Sequence, residues 1–141
     1  MTSLKIVRPS GSFSLMLPNE VCDEQDGRIR SFWIKGRALL LQLSSYVRSE
    51  GRQIGANERL SQRMSRDDGS WKPWAANIHP DSSVDQASAE LMDEEGVLWV
   101  HSYLVWPHLT VYATISGPEE LVRDTDSWAI KGVASIRLTI Q

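Results

Sequence analysis

Three histidines (His79, His101 and His108) and one cysteine (Cys22) are the side chains in this chain best suited to chemistry near neutral pH. Imidazoles move protons and bind metals, and thiolates attack electrophiles. Their spacing argues against both roles. No two histidines stand four residues apart, and no HExxH pattern occurs, so no helix face offers a ligand pair. If the segment around them forms a hairpin, His101 and His108 flank its turn, and Asp81 in "IHPD" offers an oxygen. An enzyme or small-ligand site would therefore draw on His79, Asp81 and His101. Cys22 has no second cysteine to pair with. It sits in "EVCDEQDG", where neighbouring carboxylates disfavour a thiolate. No GxSxG elbow is present, and "SEGRQIG" lacks the lysine and serine or threonine of a phosphate-binding loop. The acid pairs Asp67–Asp68, Glu94–Glu95 and Glu119–Glu120 fall in expected turns or helix starts, where carboxylates stay solvated and untuned. The expectation is no catalytic residue, no metal site and no cofactor.

Six tryptophans in 141 residues are the other feature. Large aromatics bury much area, and tryptophan is enriched where interfaces concentrate their binding energy. Trp33 and Trp106 suit core positions. Trp71, Trp74 and Trp99, with His101 and Tyr103, suit a partner-binding surface. Glu94 and Glu95 in the adjoining turn would give it an electronegative rim, fitted to a basic partner.

These groups need elements to hold them. The length suits one domain, 1–141, with one core. A net charge of -3 lacks the basic stripe of a nucleic-acid binder. The densest basic run, Arg48 to Arg66, is interspersed with acids. No stretch approaches the roughly 20 apolar residues that span a bilayer. The start, "MTSLKIVRPSGSFSLMLP", lacks the long apolar segment of a secretory signal, so the expected location is cytoplasmic.

Along the chain, "FSLML" reads as a strand ended by Pro18, and "CDEQDG" as a polar turn. "RIRSFWIK" and "ALLLQLSSYV" alternate as strands around Gly36 and Arg37, which predicts an antiparallel hairpin. Leu39, Leu41 and Leu43 form the better core row of the second. "SEGRQIG" breaks the pattern. "ANERLSQRMSR" spaces Ala56, Leu60 and Met64 by four, a short amphipathic helix lying on a sheet, with Asn57 placed to help cap it. Residues 67–83 are irregular, with Pro73 and Pro80 excluding a long helix. "QASAELM", "VLWVHSYLVW" and "LTVYATI" then form a three-stranded meander. Its turns are "DEEG", where Gly96 takes a positive φ, and Pro107–His108. Alternation divides the middle strand. Leu98, Val100 and Leu104 form an aliphatic row that should lie under a helix. Trp99, His101 and Tyr103 form an amphipathic, half-exposed row. "SGPEELVRD" reads as a helix start. The last segment reads as a helix from about Ser127 to Arg137 with an extended tail, Gly132 counting against it.

"GSFSLMLP", "ALLLQLSSY", a helix, a loop, "ASAELMDEEGVLWVHSYLV", "LTVYATIS" and a closing helix ending in "ASIR" together resemble the PsbP-like α-β-α sandwich, which includes the DcrB-like chaperones. The resemblance covers roughly residues 11–138, with "LPNEVCDE" where the family has a tryptophan after "LP". It implies an α+β fold: a central antiparallel β-sheet with helices on both faces. It also implies protein binding rather than catalysis. The functional expectation is thus a non-catalytic bacterial protein-binding domain, most concretely an immunity protein neutralising a cognate toxin. The alternatives are a chaperone or adaptor for a secreted effector, acting as a homodimer, and a small-ligand-binding protein or enzyme. The expected partner is a protein, toxin or effector, with no nucleic acid and no membrane.

Overall fold

The computed structural model describes residues 3–47, 54–67, 69–74 and 77–139. Most of the "SEGRQIG" break, Arg48 of the basic run, and Asp68 of the first acid pair lie outside the described residues.

The strands are β1 (Leu4–Ser10), β2 (Phe13–Pro18), β3 (Val21–Asp26), β4 (Ile29–Ile34), β5 (Leu40–Val47), β6 (Lys72–Pro73), β7 (Asp85–Met92), β8 (Leu98–Trp106), β9 (Leu109–Gly117) and β10 (Arg137–Leu138). The helices are α1 (Ala56–Met64), α2 (Glu119–Val122) and α3 (Trp128–Ala134). Seven strands form one sheet in the order β3-β4-β5-β9-β8-β7-β6, and three form another in the order β1-β2-β10. All strand pairings among the described residues are antiparallel.

This overturns the expected α-β-α sandwich. Among the described residues the fold is mainly β, two antiparallel sheets with three short helices. The meander and the hairpin stand as expected, joined through β5 and β9. The aliphatic row does lie under a helix, α2, which packs on β8 and β9, but the same core is also closed by a second sheet. Phe13, Leu15 and Leu17 of β2 and Val7 of β1 pack with Leu41, Leu43, Leu98, Val100, Leu104, Val111 and Ile115 in one core. Val122 of α2 and Ala129, Ile130 and Val133 of α3 join the same core. A strand row and a helix stripe bury an aliphatic face equally well, so alternation on one partner cannot tell which will arrive.

Three local expectations also change. "CDEQDG" is not a turn: its first five residues belong to β3, paired along their length with β4. As an edge strand it has little to bury, so its polar residues are held by backbone pairing rather than by side-chain packing. The closing helix ends at Ala134, not Arg137, and the chain then re-enters the small sheet as β10. The cap of α1 is not Asn57. Gly55 is the N-cap residue, and the Asp85 carboxylate on β7 accepts the Ala56 N–H at 3.0 Å.

The opposite, outer face of the large sheet carries a smaller cluster. Helix α1 lays Ala56 and Leu60 onto Ala89, Tyr103 and Val105, with Met64, Trp71, Ala87 and Tyr112 at its margin. The helix therefore covers β7 and β8. Among the described residues the outer row of β4 and β5 stays open, with Ser31, Trp33, Gln42 and Ser44 half-buried and Ile29 and Tyr46 exposed, while Thr110, Thr114 and Ser116 of β9 are buried.

Candidate functional site

The outer row follows from strand alternation. On β8 it presents Trp99, His101 and Tyr103; on β9, Tyr112 and Thr114; on β5, Gln42, Ser44 and Tyr46. The register sets Ser44 opposite Tyr112, Tyr112 opposite Tyr103, and His101 opposite Thr114. Cross-strand neighbours at such spacing let aromatic rings meet. Tyr103 and Tyr112 stack with centroids 4.6 Å apart, and His101 lies 5.9 Å from Tyr112. Trp71 meets His101 edge-on at 4.7 Å, and Trp99 lies 6.4 Å from it.

Hydrogen bonds fix these rings. The Trp99 indole N–H donates to Asp93 Oδ2 at 3.1 Å. Asp93 Oδ1 also accepts the Glu95 and Val97 N–H groups, each at 2.9 Å, which ties the β7–β8 turn to the tryptophan. The Val97 N–H foremost, then the indole, holds the Asp93 carboxyl below its ordinary range. His101 Nδ1 is hydrogen-bonded to the Tyr112 hydroxyl. Arg63 of α1 donates from Nε to the Tyr103 hydroxyl at 3.3 Å, and its guanidinium lies over the Tyr112 ring at 4.5 Å. Burial first, and the Arg63 charge second, pull the His101 pKa down to about 4, so the imidazole is neutral at pH 7. Burial pushes the Tyr112 phenol above its ordinary value, so the hydrogen bond joins two uncharged groups.

Beside these rings lies a concave groove of about 310 Å³, lined by Arg28, Ile29, Gln42, Leu43, Ser44, Tyr46, Arg63, Trp99, His101, Tyr112 and Thr114. Its volume is at the small end for a ligand site, roughly 300–1,000 Å³. Ile29 at its lip is 47% exposed and Tyr46 is 36% exposed. Arg28 and Arg59 each stand 5.8 Å from the Tyr46 ring.

The residues expected to form a partner surface are divided by the fold. Trp99 and His101 line the groove, and Trp71 braces His101 from its margin. Glu94 and Glu95 are exposed in the turn that Asp93 anchors. Tyr103 belongs to the row but is no contact surface: it is 5% exposed, under α1. Trp74 packs against the main core on the other side of the sheet, 6.0 Å from the Arg123 guanidinium. Arg123 there makes a two-pronged ion pair with buried Glu90, at 2.7 and 3.2 Å. Trp106 packs against the core as expected, whereas Trp33 is half-buried and shares the outer row with Leu40.

The histidine trio is not assembled. His79 is buried beside Trp106, on the inner side. Its Nε2–H donates to the Ile136 carbonyl at 2.9 Å, and its Nδ1 accepts the Asp81 N–H at 3.2 Å. With both nitrogens engaged it pins the 77–84 segment to the end of α3. It lines a different cavity from His101. Among the described residues no group of three or more histidine, cysteine or acidic side chains is placed to hold a metal ion.

The groove residues not singled out from the sequence are Arg28, Ile29, Gln42, Ser44, Tyr46, Arg63, Tyr112 and Thr114. The alternation of "LLLQLSSYV" and "LTVYATI" does place their β5 and β9 members on one side each. What it leaves out is that β5 and β9, over 60 residues apart in the chain, are neighbours.

No family model matches the chain, and no curated protein matches it. Among solved structures, a protein of Bacteroides thetaiotaomicron VPI-5482, with a crystal structure at 1.50 Å resolution, superposes with a TM-score of 0.60. The match is 16% identical and covers 92% of this chain but 46% of that one, so this chain spans less than half of its neighbour's length. A likeness at that identity carries the fold alone.

Proposed function

We propose that this chain is a non-catalytic protein-binding domain that receives its partner on the outer groove of the large sheet. One observation carries the proposal: a row of half-exposed aromatic side chains, each fixed by a hydrogen bond or ring contact, lines a concavity that α1 leaves open. Rings locked before binding lose little side-chain entropy on docking, which favours them as anchors. The most concrete form is an immunity protein acting in a bacterial cytoplasm against a cognate toxin, which the small size and acidic balance of the chain support. Among the described residues no helix is long and apolar enough to cross a membrane.

Co-expression with the products of neighbouring genes tests this. The expected outcome is a stable complex and protection of cells from one of those products. Ile29→Asp and Tyr46→Ala, at exposed groove positions, should each weaken the complex about 10-fold or more while the melting temperature falls by no more than a few degrees. A complex indifferent to both variants would place the interface elsewhere.

A further inference from the structure

We infer that the segment of the partner entering this groove is acidic, and that its carboxylates are received by Arg28, Arg59 and Arg63. This deepens the binding proposal above and rests on it.

Arg28 and Arg63 line the groove, and Arg59 of α1 stands at its margin beside Tyr46, so the three guanidiniums gather over two tyrosine rings. Arg28 and Arg59 stand by Tyr46, and Arg63 lies over Tyr112. Among the described residues two other arginines are matched with acids: Arg30 pairs with Asp23, and Arg123 with Glu90 and Glu119. None of the groove three forms an ion pair with a carboxylate among the described residues. Arg59 Nε is buried and has no hydrogen-bond partner. A guanidinium resting on an aromatic face keeps its donor edge for a carboxylate, and the planar fork takes two oxygens at once. Arg63 spends only Nε on Tyr103.

The rest of the lining offers nothing to compete. Among the described residues no lining residue is a carboxylate, and His101 is uncharged. Asp67, just past α1, acts on His101 and Tyr112 only through its field and does not line the groove. Three like charges close together repel one another, and an incoming anion relieves that repulsion. The chain as a whole is acidic, at -3, so this end of the sheet is a local reversal of sign.

The surroundings limit the length of the anion. Glu24 and Asp26 are exposed on β3 beside one flank, and Glu94 and Glu95 are exposed in the β7–β8 turn near Trp99. A nucleic-acid strand running through the groove would pass from the arginines onto these acids. A short acidic run in a protein, flanked by apolar residues for Ile29 and Trp99, meets no such penalty.

The test is selection of random displayed dodecapeptides on the full folded chain. The enriched peptide is then synthesised and titrated against wild type, Arg28→Glu, Arg59→Gln and Ile29→Asp. The expected result is enrichment in Asp and Glu, binding that weakens as salt rises, and at least a 10-fold loss in Arg28→Glu and Arg59→Gln. Basic or uncharged peptides that are lost in Ile29→Asp but unaffected by the arginine variants would overturn the acidic partner while leaving the docking face intact. Enriched peptides, or none, with no dependence on Ile29 would overturn the docking face itself. A dodecathymidine oligonucleotide binding more tightly than the peptide, and lost in Arg28→Glu, would overturn the choice of a protein segment.

Discussion

At the scale of single residues, His101 and Tyr103 show how one strand row serves two purposes. His101 is held neutral by burial and by the Arg63 charge, with a folded pKa of about 4 against an ordinary 6.5. Between these values the unfolded chain takes up a proton that the folded chain refuses. Stability therefore falls as pH drops from about 6.5 to about 4, by at most about 3 kcal/mol, and this contribution is gone below pH 4. Urea unfolding at pH 7, 5.5 and 4.5 should show that slope, and His101→Gln should flatten it. The same slope in the variant would assign it to other groups. Tyr103, one strand position pair further on, is buried and stacks on Tyr112. Tyr103→Ala should cost about 3–5 kcal/mol in chemical denaturation, as for other large buried aromatics, whereas Tyr46→Ala at the open lip should cost under about 1 kcal/mol. Equal costs would mean that α1 does not cover the row. Alternation places both tyrosines on sheet faces but says nothing of where a helix will sit, which is why Tyr103 reads as exposed in the sequence.

At the scale of elements, legibility follows the apolar period. The β7–β8–β9 meander and the β4–β5 hairpin are plain in the sequence because their alternate residues differ in polarity and their turns carry Gly96, Gly36 and Pro107. Strand β3 is hidden because an edge strand with exposed sides needs no apolar row. The small sheet is hidden for another reason: β2 sits near the chain start and its edge is completed from the end. The Met16 N–H donates to Ser135 Oγ at 2.8 Å across 119 residues, continuing the edge that β10 pairs. Gly132 reads in the sequence as a weak point in a helix. Its real cause is close approach: a Cβ there would sit 2.6 Å from Leu17 Cδ2 on β2. Gly132→Ala should destabilise the protein by about 1–3 kcal/mol despite alanine's better helix propensity, because the packed interface has no room. A stabilised variant in thermal unfolding would show that α3 does not seat on β2 as closely as this.

At the scale of the whole molecule, the large sheet has one face sealed and one face partly open. The sealed face takes the small sheet, α2 and α3, and an expectation of helices on both sides fails there because the sequence fixes the need for cover and not its kind. Among the described residues the open face takes only α1, whose nine residues reach across β7 and β8. What remains uncovered is a groove of aromatic rings and arginines in an otherwise acidic chain. A second exposed apolar patch, Leu4, Ile6 and Met16 on the outside of the small sheet, is the competing surface, and it would suit a chaperone or a homodimer. The two lie on different sheets and can be told apart in one experiment. Backbone and side-chain NMR shifts, recorded on the full chain with and without the partner from co-expression, test the central claim most directly. The predicted result is perturbation at Ile29, Tyr46, Trp99, Tyr112 and Thr114, with Leu4, Ile6 and Met16 unmoved. Shifts confined to Leu4, Ile6 and Met16 would contradict the groove as the docking surface.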